Sequence, residues 1–273
     1  MTSICKRFSA TTVRALSPSS PLSLLFALSV SLVAPAEAAD WYLRGALGYE
    51  QSRDANFSDR DCASQQPAAL FGCVRGDDGR PIGAYGDFGD YPMAELAVGR
   101  RLLPWLRADL SVGYRFASEY AGNANFLSVG THEPVSADFE SWLGLANVFV
   151  DLAALNGADL GRFQPYVGIG AGVAHNRLGE MTYRFPENPG RHKISVTPDG
   201  DRTNFAYQVT LGTGIALSDT LTLDLSGYYV DLGEVGTDSG IMSLNTLSAG
   251  IPIDETSTNL RAFGVAVGLR RAF

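Results

Sequence analysis

Residues 106–116 alternate without a break. Leu106, Ala108, Leu110, Val112, Tyr114 and Phe116 take one face, and Arg107, Asp109, Ser111, Gly113 and Arg115 take the other. A period of two is the pattern of a β-strand, here with one apolar and one strongly polar face. The rhythm returns over residues 205–217, where the second face is small and polar (Ala206, Gln208, Thr210, Gly212, Gly214, Ala216). Comparable segments at 41–50, 93–103, 140–152, 165–176, 221–232 and 260–273 bring the predicted strands to eight. Over 140–152 the phase stays open, because Trp142 and Leu143 are both large and Asn147 sits among apolar neighbours. A bulge there is one solution.

The links between these strands alternate strictly in length. Those at 104–105, 154–162 and 218–220 are short, whereas those at 51–91, 117–139, 177–203 and 233–258 are long, polar and rich in Gly, Asp, Asn and Pro. Short turns at one end and long loops at the other, around an even number of strands, predict an all-β fold: an eight-stranded antiparallel up-and-down transmembrane barrel with short periplasmic turns and four long extracellular loops. A soluble eight-stranded barrel would place its apolar face inside. Here the Gly-rich, charged face suits a narrow interior, and the apolar face must meet lipid. Trp41, Trp105 and Phe273 at segment ends suit an interfacial girdle.

With these phases, the charges pointing inward are Arg44, Glu50, Glu95, Arg101, Arg107, Asp109, Arg115, Asp224 and Arg270. Isolated buried charge is costly, so they are expected to pair. Pairing makes either a plug that fixes strand register or a selectivity constriction for small solutes. The plug is favoured, because eight strands enclose little free volume. Gly168-x-Gly170-x-Gly172 lacks the strand-turn-helix context of a dinucleotide site and reads as lumen-facing glycine.

The N-terminal segment has its own pattern. Lys6, Arg7 and Arg14 precede an apolar run over 22–33, followed by Ala36 and Ala38 in an A-x-A arrangement. This predicts a cleaved signal peptide over 1–38 and a barrel domain over 39–273. The run is too short to span a bilayer. Cleavage removes three cations and one anion, moving the formal charge from −8 to −10. Such an acidic chain, with Lys6 and Lys193 its only lysines, offers no face for nucleic acid. Cys62 and Cys73 remain after cleavage and are expected to form a disulfide in the exported protein, since no His or third Cys stands near them to complete a metal site.

Taken in order, Val112-Gly113-Tyr114-Arg115-Phe116, Asn147-Val148-Phe149-Val150-Asp151-Leu152, Pro165-Tyr166-Val167-Gly168-Ile169-Gly170-Ala171-Gly172 and the strand ending in Phe273 resemble the eight-stranded outer-membrane barrels. That family includes the opacity-type surface proteins and the OmpA-like barrel domain, often loosely called porins. The resemblance implies a C-terminal assembly signal read by the barrel-insertion machinery. Gly268 and Phe273 match it, while Arg271 stands where an apolar residue is usual. It also implies a surface antigen, adhesin or envelope-stabilising barrel.

Catalytic chemistry has thin support. His132, His175 and His192 are the histidines, and His175 is followed by Asn176 and Arg177 rather than by the Ser that lipid A deacylases of this barrel type carry two residues on. The first-loop acids Asp54, Asp59, Asp61, Asp77, Asp78, Asp87 and Asp90 lack calcium-loop spacing. No catalytic residue, cofactor or metal is expected. The expectation is a monomer in the bacterial outer membrane that contacts lipid and lipopolysaccharide and whose loops bind a host or envelope ligand or stabilise the envelope. A narrow channel is the first alternative and a lipid A-modifying barrel the second.

Overall fold

The structure is a computed structural model that describes residues 41–59, 74–191 and 193–273. Its strands are β1 (Trp41–Ser52), β2 (Ala55–Phe57), β3 (Ala84–Asp87), β4 (Asp90–Leu103), β5 (Leu106–Ala124), β6 (Pro134–Asp151), β7 (Phe163–Leu178), β8 (Thr182–Arg184), β9 (Ile194–Val196), β10 (Gly200–Ala216), β11 (Leu221–Gly236), β12 (Gly240–Leu244), β13 (Leu247–Ile253) and β14 (Ser257–Ala272). One helical turn, α1 (Leu152–Leu155), follows β6. Eight long strands pair antiparallel in the cyclic order β1-β4-β5-β6-β7-β10-β11-β14, and β1 closes the ring against β14. Closure leaves no unpaired edge in the ring, as a bilayer demands. The short turns, Trp41 and Phe273 share one end, which is therefore periplasmic.

The outward face of the lower barrel is aliphatic: Leu47, Leu96, Leu110, Ile169, Leu211 and Val265 are all well exposed on it. Rings in contact form a girdle toward the loop end, with Tyr114 against Phe116 and Trp142, and Tyr229 against Tyr207 and Phe263.

The strands overshoot the predicted segments. β5 runs on past Phe116 to Ala124, β6 begins at Pro134, and their link shrinks to residues 125–133. The long link expected over 117–139 is corrected accordingly, and the reason is the solvent. Once a strand rises out of lipid into water, its outward face becomes polar while its inward face stays buried. Glu119 is exposed and Tyr120 is fully buried, so this part of the strand has the pattern of a soluble barrel. A register shift between Arg115 and Ser118 lets Arg115 and Tyr120 both point inward despite their odd spacing. The bulge thus lies on β5, and β6 pairs with β7 without interruption over 139–151, turning Trp142 out and Leu143 in. A second shift, at Asp231/Gly233, uses the positive φ of Gly233.

The former loops also hold strands. β3 pairs with β5 and β2 with β3, while β8, β9, β12 and β13 extend the sheet from β6.

Candidate functional site

The interior has two layers. The lower one is ionic and lies within the membrane-spanning part. Arg44 Nη2 sits 2.7 Å from Glu95 and 3.7 Å from Asp109. Arg115 donates to both oxygens of Glu50 at 2.8 and 2.7 Å, and the Tyr228 hydroxyl donates to the same carboxylate at 2.9 Å. Arg270 reaches both oxygens of Asp224 at 3.1 and 3.3 Å. Tyr42 and Asn147 donate to Asp109 at 3.0 and 2.8 Å, and Asn147 also donates to Ser111 at 3.0 Å. Arg107 Nε lies 3.3 Å from Asp151, and its guanidinium packs 4.5 and 4.4 Å from the ring centroids of Phe149 and Tyr166. Guanidinium suits this task because it is planar, always charged and able to stack.

Eight of the nine predicted inward charges thus find partners in the lumen, in four groups: Arg44 with Glu95 and Asp109, Arg115 with Glu50, Arg270 with Asp224, and Arg107 with Asp151. Arg101 does not. It is exposed at the end of β4, where the register with β5 slips toward the turn, and it has no ion pair among the described residues. It lines a polar vestibule of about 360 Å³ at the periplasmic mouth, beside Tyr42, Thr222 and Arg270. Sequence reasoning missed Asp151, Tyr42, Tyr228 and Tyr166. Asp151 had a signal: it lies in phase with Asn147 and Phe149, which the unresolved strand phase concealed. Gly168, Gly170 and Gly172 face inward, where Cβ atoms would strike the Phe149 ring, the Asn147 amide and the Gly144 carbonyl.

The upper layer is aromatic and aliphatic. Phe57, Phe88 and Tyr120 meet at centroid distances of 6.2, 4.9 and 5.3 Å, and Phe88 contacts Phe139 at 4.7 Å. Tyr91, Leu178, Met181, Val230, Leu232 and Leu260 complete a core of buried side chains over the ionic layer.

Above it the loops are organised by side-chain bonds. Asn125 Nδ2 donates to Asp78 at 3.0 Å and to the Pro81 carbonyl at 3.1 Å, while its Oδ1 accepts from Gly83 N–H at 3.0 Å. This docks the 74–82 hairpin on the 125–133 loop around a cleft of about 430 Å³. Glu133 is buried and accepts the N–H groups of Phe126 and Leu127 at 2.9 and 2.7 Å. Burial pushes its pKa up, against those two hydrogen bonds. Arg202 ties β10 to β11 through Glu234 at 3.4 Å and to the β11–β14 link through Asp238 at 2.6 Å and Glu255 at 2.8 Å. His132 is exposed in the cleft, and His175 faces outward with Nδ1 2.9 Å from the Thr203 hydroxyl. Cys62, Cys73, Asp61 and His192 lie outside the described residues. Among the described residues no three His, Cys, Asp or Glu side chains cluster closely enough to hold a metal. Gly268 faces inward against the Gly45 carbonyl, and Phe273 closes the strand by donating its N–H to Trp41 O at 3.0 Å.

A family model described as an outer membrane protein β-barrel domain matches residues 21–270. The outer membrane protein PagN of Salmonella typhimurium is 24% identical over 130 residues, which is 48% of this chain and 51% of PagN. The chain thus spans about half the length of that curated relative. Among solved structures, the outer membrane protein OprG of Pseudomonas aeruginosa aligns with a TM-score of 0.51 at 14% identity, covering 86% of this chain and 96% of OprG. The outer membrane protease OmpT of Escherichia coli aligns with a TM-score of 0.48 at 11% identity, covering 86% and 97%.

Proposed function

Because the chain belongs to the outer membrane protein β-barrel family and is a protein of the bacterial outer membrane, we propose that it is a closed, non-catalytic barrel whose work is done by its extracellular surface. In this reading it is a monomer that binds a host or envelope ligand through its ordered loops. The observation that carries the proposal is the doubly filled lumen. A channel needs a continuous polar path, and here the Arg115–Glu50 pair is roofed by Tyr91, Phe139, Phe88 and Tyr120. A barrel packed this way is a rigid mount, and function on such scaffolds resides in the loops. The mount meets lipid through its aliphatic belt and lipopolysaccharide above the aromatic girdle, and Gly268 and Phe273 would present its last strand to the insertion machinery.

The test has two parts. Purified, refolded barrel in planar bilayers is expected to stay silent, as are variants neutralising Arg107, Asp109 and Arg115 that remain folded. Discrete openings sensitive to those charges would replace this reading with a selective pore. Cells displaying the protein are expected to adhere to host cells or matrix more than cells displaying a barrel with the 74–82 and 125–133 tips cut back. Equal adherence would remove the loops from the function.

A further inference from the structure

The lower end of the lumen opens to the periplasm. Inward side chains from β1, β4, β7, β11 and β14, together with the 218–220 turn, surround the vestibule of about 360 Å³ at this mouth. Arg101 enters it from β4, in phase with Glu95, Ala97 and Gly99, and lies directly opposite Arg107 in the β4–β5 register. Like charges so placed repel. Arg107 is matched by Asp151, whereas Arg101 has no ion pair among the described residues. Arg270 enters from β14, and Asp224 takes its Nε and Nη2, which leaves Nη1 to donate elsewhere.

Hydroxyl groups complete the lining. Ser218 Oγ accepts the N–H groups of Thr220 and Leu221 at 3.4 and 3.2 Å, so its own hydrogen is unspent, and Thr222 stands beside Arg270 across the β11–β14 ladder. The one carboxylate of the lining, Asp219, is exposed on the turn. Donors on β4, β14, β11 and the turn therefore approach one space from several sides. That arrangement suits a tetrahedral oxyanion better than a planar carboxylate, which a single guanidinium fork satisfies. The cavity is within the size range that holds small organic ligands. Arg101, Arg270 and Thr222 face the barrel axis, so the wall separates them from lipid and the anion must come from the periplasmic solution.

We propose that the vestibule is a binding site for the phosphate group of a small periplasmic phosphate ester, held between the Arg101 and Arg270 guanidiniums with Ser218 and Thr222 as hydroxyl donors. The ionic layer above closes the far side, so the ligand docks at the mouth and does not pass through.

The test uses the full mature barrel refolded in a non-ionic detergent without phosphate and titrated with glycerol phosphate, followed by the backbone amide resonances of Thr220 and Thr222. Wild type is expected to show saturable shifts at both. Arg101→Gln is expected to weaken binding about tenfold, the loss of one charge-assisted contact. Arg101→Lys, which keeps the charge without the fork, should weaken it less, and Asp219→Asn should strengthen it by removing a like charge. Arg177→Gln, on the outer wall at the opposite end, should leave it unchanged. No saturable shift in wild type, or equal binding by Arg101→Gln, would overturn the proposal. Acetate bound as tightly as glycerol phosphate would overturn the choice of phosphate, and the same shifts in phosphatidylglycerol nanodiscs without added ester would overturn the soluble source. Heat-modifiable migration confirms that each variant is folded. If Arg101→Gln failed to fold, Asp219→Asn would decide, with unchanged or weaker binding refuting an anion at this mouth.

Discussion

Glu50 and Arg115 provide the sharpest test of how the lumen is held together. Glu50 is 0% and Arg115 1% exposed, and the carboxylate accepts three hydrogen bonds, two from the guanidinium and one from Tyr228. Glu50→Gln keeps the size of the side chain and removes the charge, leaving the guanidinium uncompensated in a closed interior. Breaking a buried pair from one side costs about 3–5 kcal/mol, and Arg115→Met is expected to cost a similar amount by orphaning the carboxylate. Replacing both residues, Glu50→Gln with Arg115→Met, removes both buried charges, and with them their desolvation penalty and their attraction. The double variant should therefore be more stable than the sum of the singles by at least about 2 kcal/mol. The assay is reversible urea unfolding of the detergent-folded barrel, followed by tryptophan fluorescence and heat-modifiable migration. Single variants within about 1 kcal/mol of wild type, or additive singles, would refute the argument that this pair is a coupled, buried contact.

Gly172→Val drives a side chain into the Gly144 carbonyl and should cost about 1–3 kcal/mol or block folding, read by the same unfolding assay. Arg101→Gln should change stability by less than about 0.5 kcal/mol, whereas Arg107→Gln, deep among Asp151, Phe149 and Tyr166, should cost several times more; equal effects would remove the distinction between rim and lumen. Glu133→Ala orphans the Phe126 and Leu127 N–H groups, so proteolysis within residues 125–133 of the folded protein should quicken about tenfold; an unchanged rate would discount the anchor. The Arg80 backbone N–H, followed by the Arg80 and Asn125 side chains, holds the Asp78 carboxyl below its ordinary 3.8. A depressed folded value means that hairpin docking is fully supported above the ordinary range and weakens as pH falls through the depressed one. The Asn125 side-chain amide resonances should therefore hold steady down to about pH 4 and shift only below it, and a transition near neutrality would contradict the contact.

What the chain reveals before folding divides at the membrane surface. Within lipid, alternation assigns the faces of residues 106–116 and 205–217 without ambiguity, because one face meets hydrocarbon and the other a crowded interior. Above it, water replaces lipid and the polarity rule reverses. Stretches such as 117–124 read as loop although they continue the ladder. The bulge between Arg115 and Ser118 compounds this by switching the phase. On β6 the inward set mixes Leu143, Leu145 and Phe149 with Asn147 and Asp151, so neither face looks polar, and the partner of Arg107 stayed hidden. The ionic residues themselves were legible, since charge in a narrow interior has few other places to be. Which carboxylate each guanidinium would choose was not, because that depends on register across strands distant in sequence.

The overshoot of the strands sets how far the molecule reaches. β5 and β6 contain 19 and 18 residues, against the roughly 9–11 that cross a bilayer. The excess, tilted like the rest of the wall, lifts the tips about 20 Å above the hydrocarbon edge. Large visitors such as antibodies or phage tail fibres would therefore meet the tips clear of the sugars nearest the membrane. The epitopes they meet are conformational, set by cross-strand register. Changes of side chain are best tolerated in residues 125–133 and the 74–82 hairpin, where the chain reverses and the ladder beneath stays intact.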